Sequence, residues 1–506
     1  MYATKKLMLG IAVSAMLATG LLGTAAQAAE AVEAATVSLP APAQSFDPTK
    51  TVTATDRAAF SLMNGTLLAQ QIDGTIVPGL AESIEYNADA SEATVTLKPN
   101  LKFSDGSPLT AADVAATFTR HMGVEGSVLG AMMGRIASVE ATDDLTAHFT
   151  FKGPFPSFGD FASAGSYGIY PAAGLEKGEE FFVKPVTSGP YKIASTWASN
   201  KLELVANENY GGGAQPAIAN LTLTVIEDAN SAVGQLQSGQ VDYAGDLPPS
   251  FMLQLQGAPG LTISSVPVYG FYDLRMWNQG GVFADPNMRN AVSAALDRDV
   301  IVRSIWGDTN QPLAGFWPPS MAYYDATQPT ARDLDAAKAY LAETECASGC
   351  QVRLMYSDQE FAFSSQLALI VQNQLKDIGI DVQLERLDAS TLIQRLRAGD
   401  YDMVPGAMAS AANIPDHLLG NALLGTGSLK AEFTGYNSEA MDALIAKVNQ
   451  SSGDERAAAA AEIGALFAKD RPYAILAPWV RGAATSLPEG TVSLVGTGIV
   501  VGGLDQ

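Results

Sequence analysis

The sequence predicts an α/β protein built from two lobes, and three observations lead there. The first is a unit of helix followed by strand that recurs in two separate regions. "SAVGQLQSGQVDYA" is a helix-like run that stops at Gly239 and enters a short strand. "FSSQLALIVQNQLKDIGIDVQLERL" repeats that grammar, with Leu367, Ile370, Val371 and Leu375 on one side of a helix, a stop at Gly379 and a strand from Ile380 to Leu384. "STLIQRLRAGDYDMVPG" repeats it again, with Gly399-Asp400 as the stop. The second observation is size: 506 residues, 47% apolar and 16% charged, give room for two or three compact domains. The third is that no motif in the chain carries chemistry, so the cleft that paired α/β domains commonly form becomes the place to look for a ligand.

The elements follow in order. Lys5-Lys6, the apolar run from Leu7 to Leu22 and the small residues of Ala26-Gln27-Ala28 read as a cleaved export signal over residues 1–28, with the mature chain starting near Ala29. No Cys lies near that site to carry a lipid anchor, and no later apolar run is long enough to span a bilayer, so the expected location is the periplasm. In "LKFSDGSPLTAADVAATFTR", the alternating Thr94 to Lys98 just upstream predicts a strand, and Asp105-Gly106 a turn. Thr110 with Asp113 predicts a capping box opening a helix whose apolar stripe is Val114, Phe118 and Met122. "SGPYKI", "KLELVAN" and "NLTLTVI" predict further strands. Cys346 and Cys350, the two cysteines, lie in "CASGC", where Ser348-Gly349 permits the turn that a disulfide needs, and an exported protein favours the bridge.

Charge and motifs exclude several function classes. A net charge of -23, from 53 acids and 30 bases, argues against a nucleic-acid partner, because a phosphate backbone rewards a basic surface. There is no G-x-S-x-G elbow, H-E-x-x-H pair or P-loop, and Gly496, Gly498 and Gly502 have the wrong spacing for a dinucleotide fingerprint. Two cysteines alone are too few ligands for a metal site, so no metal and no cofactor are expected. The three histidines are scattered; His121 and His148 are read as surface or strand-face residues, and His417 lies in "NIPDHLL".

Several ordered segments together resemble one family, the extracytoplasmic solute-binding proteins of ABC transporters in the peptide/nickel class called family 5. They are "SFDPTKT" (Ser45 to Thr51), "DGTIVPGLAESIE" (Asp73 to Glu85), "LKFSDGSPLTAADVAATF", "SGPYKI", "NENYGGG" and "MWNQGGVFADPNMRNAVSAALDRDVIV" (Met276 to Val302). The resemblance implies a periplasmic-binding-protein-like fold and a binding protein rather than an enzyme. Domain I would combine residues 30–57, 184–265 and 472–506; domain II, 58–183, would be inserted into it; domain III would span 266–471. Two crossings near Pro267 and Pro472 would form the hinge. The partners implied are a small peptide or peptide-like solute, an inner-membrane permease and its ATPase subunits, with the receptor itself a monomer.

The resemblance also maps a ligand site. Val52, Thr53 and Ala54 match the extended segment that holds a peptide backbone, and Pro405 to Ala412 match the facing loop. There Met408 takes the place of the family's aromatic residue and Ala411 that of the acid that pairs with a peptide ammonium; Asn413 lies in the same loop. Burying that ammonium unpaired would cost several kcal/mol. Asp416 is an alternative partner for it, against a simple role in capping the following turn. Tyr269, Phe271, Tyr272 and Trp317, the last beside Phe316 in "GFWPPS", are candidate walls, and His417 a candidate axial ligand for a metal chelate. The alternatives to a peptide are an oligosaccharide, an opine or a metal chelate on the same fold, and then an exported hydrolase.

Overall fold

A computed structural model describes residues 30–503 apart from 42–43, 52, 72–74, 128, 130–132, 411–413, 426–432 and 496–497. The expected export signal, Val52, Ala411 and Asn413 lie outside the described residues. The chain enters through β1 (Val32–Leu39) and helix α1 (Ala54–Met63), then a small ribbon of β2 (Leu68–Gln70) and β3 (Ile76–Pro78). Four antiparallel strands follow, β4 (Ala81–Tyr86), β5 (Glu92–Leu97), β6 (Ile136–Ala141) and β7 (Thr146–Phe151), in the order β4-β5-β7-β6, with helix α2 (Ala111–Gly123) between β5 and β6 in sequence.

The remaining strands are β8 (Tyr191–Ala198), β9 (Lys201–Ala206), β10 (Ile218–Val225), β11 (Tyr243–Leu247), β12 (Thr262–Met276), β13 (Cys350–Tyr356), β14 (Ile380–Arg386), β15 (Met403–Ala409), β16 (Tyr473–Thr485) and a closing hairpin of β17 (Val492–Val495) and β18 (Gly498–Val501). With β1, strands β8 to β16 make one ten-stranded sheet, ordered β14-β13-β15-β12-β16-β11-β1-β10-β9-β8, while β17 and β18 pair with each other.

Local chemistry explains the elements that position the site. In β5, Ala93, Val95 and Leu97 are buried in alternation, as a strand with one buried face requires. Gly106 turns the chain at φ +85°, a conformation most side chains resist, and Asp105 accepts the Ser107 N–H at 2.9 Å. Helix α2 opens where the Asp113 carboxylate accepts the Thr110 N–H at 2.9 Å. Its Val114 and Phe118 pack on the four-stranded sheet, Phe118 edge-on to Phe149 with ring centroids 5.0 Å apart. Helix Ala389–Ala398 ends on Gly399 at φ +67°, where a side chain would also strike Trp277.

The long strands β12, of 15 residues, and β16, of 13, run antiparallel through the centre. Thr262 to Pro267 pair with Thr485 to Val480, and Phe271 to Arg275 with Pro478 to Tyr473. Between these stretches the register shifts, so the sheet bends at Pro267–Phe271 and Pro478–Val480. On β16 this irregularity lies further along the chain than Pro472, near which the second crossing was expected. Pro472 only introduces β16; the proline inside the strand, Pro478, is the one at the irregularity, where a missing N–H is tolerated.

The apolar interior divides along the same line. Val37, Tyr191 and Leu223 belong to one cluster, the α2 sheet to another. Beyond the bend, β12 feeds two clusters by alternation: Tyr272, Leu274 and Met276 meet Trp306 and Leu354, while Phe271 turns to Phe316, Trp317, Met408 and Tyr473. Two buried arginines tie the helices Pro286–Ala295 and Arg298–Ile305 to the start of β16. Arg298 donates to the Ile475 carbonyl at 2.7 Å, and Arg289 to the Asp470 carbonyl at 2.6 Å. Cys346 and Cys350 are joined, with Cα atoms 5.1 Å apart, beside the first residue of β13.

One histidine departs from the expected surface position. His121 is fully buried, because it lies three residues after Phe118 and so shares the apolar face of α2. His148 does lie on a strand face, its Nδ1 3.5 Å from the Thr94 hydroxyl. Burial, aided by the Arg120 charge, pushes the His121 pKa down to about 4. The unfolded chain therefore takes up this proton first, and the stability held above the unfolded pKa is lost as pH falls from about 6.5 toward 4. We expect His121→Leu to remove up to about 3 kcal/mol of that acid sensitivity. Urea unfolding at a series of pH values checks it; wild type and variant losing stability in parallel would refute it.

Candidate functional site

The N-terminus of α1 is held rigidly. Asp56 gathers the hydroxyls of Thr51 at 2.6 Å and Thr53 at 2.5 Å and the Gln44 N–H at 2.9 Å, while the Thr53 hydroxyl caps the helix by accepting the Asp56 N–H at 3.1 Å. Ala54 begins the helix, and Arg57 closes its first turn, N–H to Thr53 carbonyl at 3.0 Å. Electrostatics couple the Arg57 guanidinium to Arg481 on β16, Asp246 at the end of β11 and His417 on the helix Pro415–Ala422. Burial and the neighbouring Arg481 charge push the Arg57 pKa down to about 10, so it stays cationic at neutral pH.

Arg481 is clamped in two-pronged fashion by Asp246, at 2.5 and 2.7 Å. Burial opposes its charge, but the Asp246 pair more than offsets that and raises its pKa. Asp246 itself holds φ at +55°, a conformation rare for residues other than Gly, and the clamp fixes it there.

The facing wall comes from the end of β15. Ser410 donates its N–H to the Tyr269 carbonyl at 2.6 Å, and its hydroxyl accepts the Ile414 N–H at 3.0 Å. His417 Nδ1 then sits 3.4 Å from the Ser410 hydroxyl and 3.3 Å from Asn421 Nδ2. Burial, followed by the Arg57 charge, lowers the His417 pKa to about 4, which leaves a neutral imidazole at physiological pH. The Arg57 cation on α1 thus lies close enough to the neutral His417 ring for its charge to act there.

Of the residues singled out from the sequence, Thr53 caps α1 and Ala54 begins it, His417 lies on the helix Pro415–Ala422, and Tyr269, on β12, is half-buried. Burial and the nearby Asp160 raise the Tyr269 pKa, which puts its ring next to the α2 sheet. Phe271, Tyr272, Trp317 and Met408 are accounted for by core packing instead. Phe271 stacks on Tyr473 at 5.5 Å, Tyr272 lies 4.7 Å from Trp306, and the Trp317 indole donates to the Ala460 carbonyl at 2.9 Å. The Asp416 carboxylate is taken by Arg135, Arg456 and Ser157. Among the described residues no group of three or more His, Cys, Asp or Glu side chains is placed to hold a metal ion.

Arg57, Arg481, Asp246, Ser410 and Asn421 went unnoticed in the sequence. Arg481 had a visible signal, since it is the one charged residue in the strand "YAILAPWVRGAAT". Arg57 had none, for an arginine in the first turns of a helix is ordinarily solvated.

The comparisons with known proteins agree with this architecture. A family model described as bacterial extracellular solute-binding proteins, family 5 Middle, matches residues 75–429. Among curated relatives, the periplasmic oligopeptide-binding protein OppA of Escherichia coli is 26% identical over 80% of this chain and 79% of its own. The probable D,D-dipeptide-binding periplasmic protein DdpA of the same species is 29% identical over 72% of each. Solved structures establish the fold. NikA from Brucella suis with Fe(III)-EDTA has a TM-score of 0.79 at 22% identity, covering 92% of this chain and 97% of that one; the PBP AgaA from A. tumefaciens R10 with agropinic acid has 0.73 at 24%, covering 92% and 96%. No helix among the described residues is long and apolar enough to cross a membrane. With the family model spanning well over half its length, this chain belongs to the family 5 bacterial extracellular solute-binding proteins.

Proposed function

We propose that the chain captures a small peptide or peptide-like solute in the gap between α1 and the helix Pro415–Ala422, and delivers it to a membrane permease powered by ATPase subunits. The observation that carries this reading is that the charge of Arg57, on α1, acts on His417, whose helix follows the strand β15 that pairs with β12 beyond its register shift. A solute that bridges groups on opposite sides binds the closed form more tightly than the open one, and that difference drives closure. The relatives' printed specificities, oligopeptide, D,D-dipeptide and glutathione, support a peptide-like ligand.

In this reading the protein is exported, works in the periplasm as a monomer and has no catalytic turnover. Domain I would comprise 30–57, 184–265 and 472–506, domain II 58–183 and domain III 266–471, although the apolar cluster of Val37 and Tyr191 also takes in Leu62, Tyr170 and Phe182. A second reading, an opine or a metal chelate, draws on the guanidiniums of Arg57 and Arg481, since Arg pairs well with carboxylate-rich ligands, and on the ligands named for AgaA and NikA.

Thermal shift against peptides, opines and chelates tests the reading. A cognate solute should raise the melting temperature by mass action, and hydrolysis of any bound solute would end the receptor interpretation. Because Ala411 replaces the family's ammonium-pairing acid, N-acetylated and free-amino forms of one peptide should bind alike in calorimetry; strict dependence on the free amine would show that another acid has taken the role.

Arg57→Gln should weaken a carboxylate-bearing ligand by about 1.5–3 kcal/mol, the range of a charge-assisted hydrogen bond. The matching amide should lose little between wild type and variant. Equal losses for acid and amide would argue against Arg57 as the carboxylate partner.

A further inference from the structure

The gap accounts for Arg57 and His417, but not for the charged seam beside it. Asp416, one residue before His417, is buried, and its carboxylate gathers groups from two parts of the chain. Arg456, from the same side as Asp416, donates to Oδ1 and stays anchored to the Tyr323 hydroxyl at 2.8 Å and the Val448 carbonyl at 2.9 Å. Arg135 and Ser157, from the segment that carries the α2 sheet, donate to Oδ2 at 3.1 and 2.6 Å. Arg135 also reaches the Asn449 carbonyl at 2.9 Å, and Ile414 is buried within the apolar cluster of the α2 sheet.

Two features mark this seam as separable rather than as permanent core. Each half keeps a partner when the halves part: Asp416 retains Arg456, and Arg135 retains the Pro154 carbonyl at 3.0 Å and the Phe155 ring, 3.7 Å from its guanidinium carbon. Breaking a buried ion pair is expensive chiefly when it strands a charge, and here neither charge is stranded. The seam is also incompletely packed, with an open groove of about 360 Å³ between Arg135, Lys152 and Pro154 on one side and Asp442, Ile445 and Asn449 on the other.

We propose that Asp416 is a positioning residue for binding: it latches the α2-sheet segment onto the second lobe and thereby sets the first turn of the helix that carries His417 and Asn421 over Arg57. Closure then gains a contact that the solute does not make, and the latch lengthens the bound lifetime whatever the solute is. The link to lifetime rests on the receptor reading above; the latch itself does not.

The decisive arm therefore uses ligand-free full-length protein and hydrogen–deuterium exchange. Arg135→Gln leaves the Asp416–Arg456 pair intact. It should speed exchange about tenfold or more in residues 155–161 and 414–422 while leaving β12 and β16 unchanged, as local opening of one seam requires. Arg135→Lys should restore part of the protection. The double variant Arg135→Gln/Asp416→Asn should open no further than Asp416→Asn alone, because both remove one interaction. Unchanged exchange in Arg135→Gln, or fully additive effects, would overturn the latch.

A second arm takes a peptide found to bind wild type in the thermal-shift screen. Arg135→Gln should raise its dissociation rate several-fold with the association rate unchanged. A seam that opens in the exchange arm with no change in dissociation would overturn the link to lifetime. If no solute binds wild type, the receptor reading fails while the exchange arm still decides the latch.

Discussion

Everything in this molecule hangs on the antiparallel pairing of β12 and β16. Fifteen and thirteen residues long, they belong to both halves of one sheet, and each half recruits its other strands against a different end of the pair. β15 pairs with β12 only from Gly270 onward, and β11 pairs with β16 only over Gly482–Thr485. The two ends are separated by the irregular stretch around Pro267 and Pro478, where ladder hydrogen bonds are interrupted. Bending there disturbs few backbone bonds, whereas bending elsewhere would break paired strands and packed cores. In the receptor reading proposed above, that stretch is where the ladder favours a hinge.

The chain's basic residues are spent sparingly and inside. Against 53 acids it has 30 bases, yet arginines occupy the interior posts: Arg289 and Arg298 bind carbonyls at the foot of β16, Arg481 clamps Asp246, and Arg456 and Arg135 share Asp416. A planar guanidinium can satisfy several fixed acceptors at once without leaving a donor stranded, which a lysine does less well. The excess acids lie mostly where water solvates them. The charge of -23 therefore describes the surface and says little about the gap, where Arg57 and Arg481 stand side by side.

How much of this was legible depended on sequence distance. The capping box of α2, the turn at Gly106 and the stop at Gly399 are settled by neighbours a few residues apart, and their periodicity and turn chemistry stood in the sequence. The order of ten strands, the lie of β16 beside β12 and the meeting of Arg57 with His417 are settled by residues hundreds of positions apart, for which one sequence holds no measure. Aromatic residues near the crossing misled for the same reason. Phe271 and Tyr272 are adjacent, and strand alternation sends them into opposite cores, so nearness in sequence to the gap did not mean facing it. His121 was misplaced although its spacing from Phe118 fits a helix face, because a titratable ring is ordinarily assigned to water.

The position of Asp416 joins these threads. In the resemblance it stood as a substitute anchor for a ligand's ammonium; in the fold two guanidiniums and a hydroxyl consume its carboxylate. A ligand amine arriving there would have to displace partners already fixed and charge-assisted, exchanging one strong set of hydrogen bonds for another with no net gain. In the reading proposed above, recognition is left to other groups, chief among them the cation of Arg57 on α1 and the neutral imidazole of His417. Arg57 brings charge and His417 brings a donor or acceptor without charge, so the pair suits a ligand that presents an anionic or carbonyl oxygen to both sides at once. The seam at Asp416 and the gap at Arg57 are then two contacts made by one movement, the first written into the protein and the second completed by the solute.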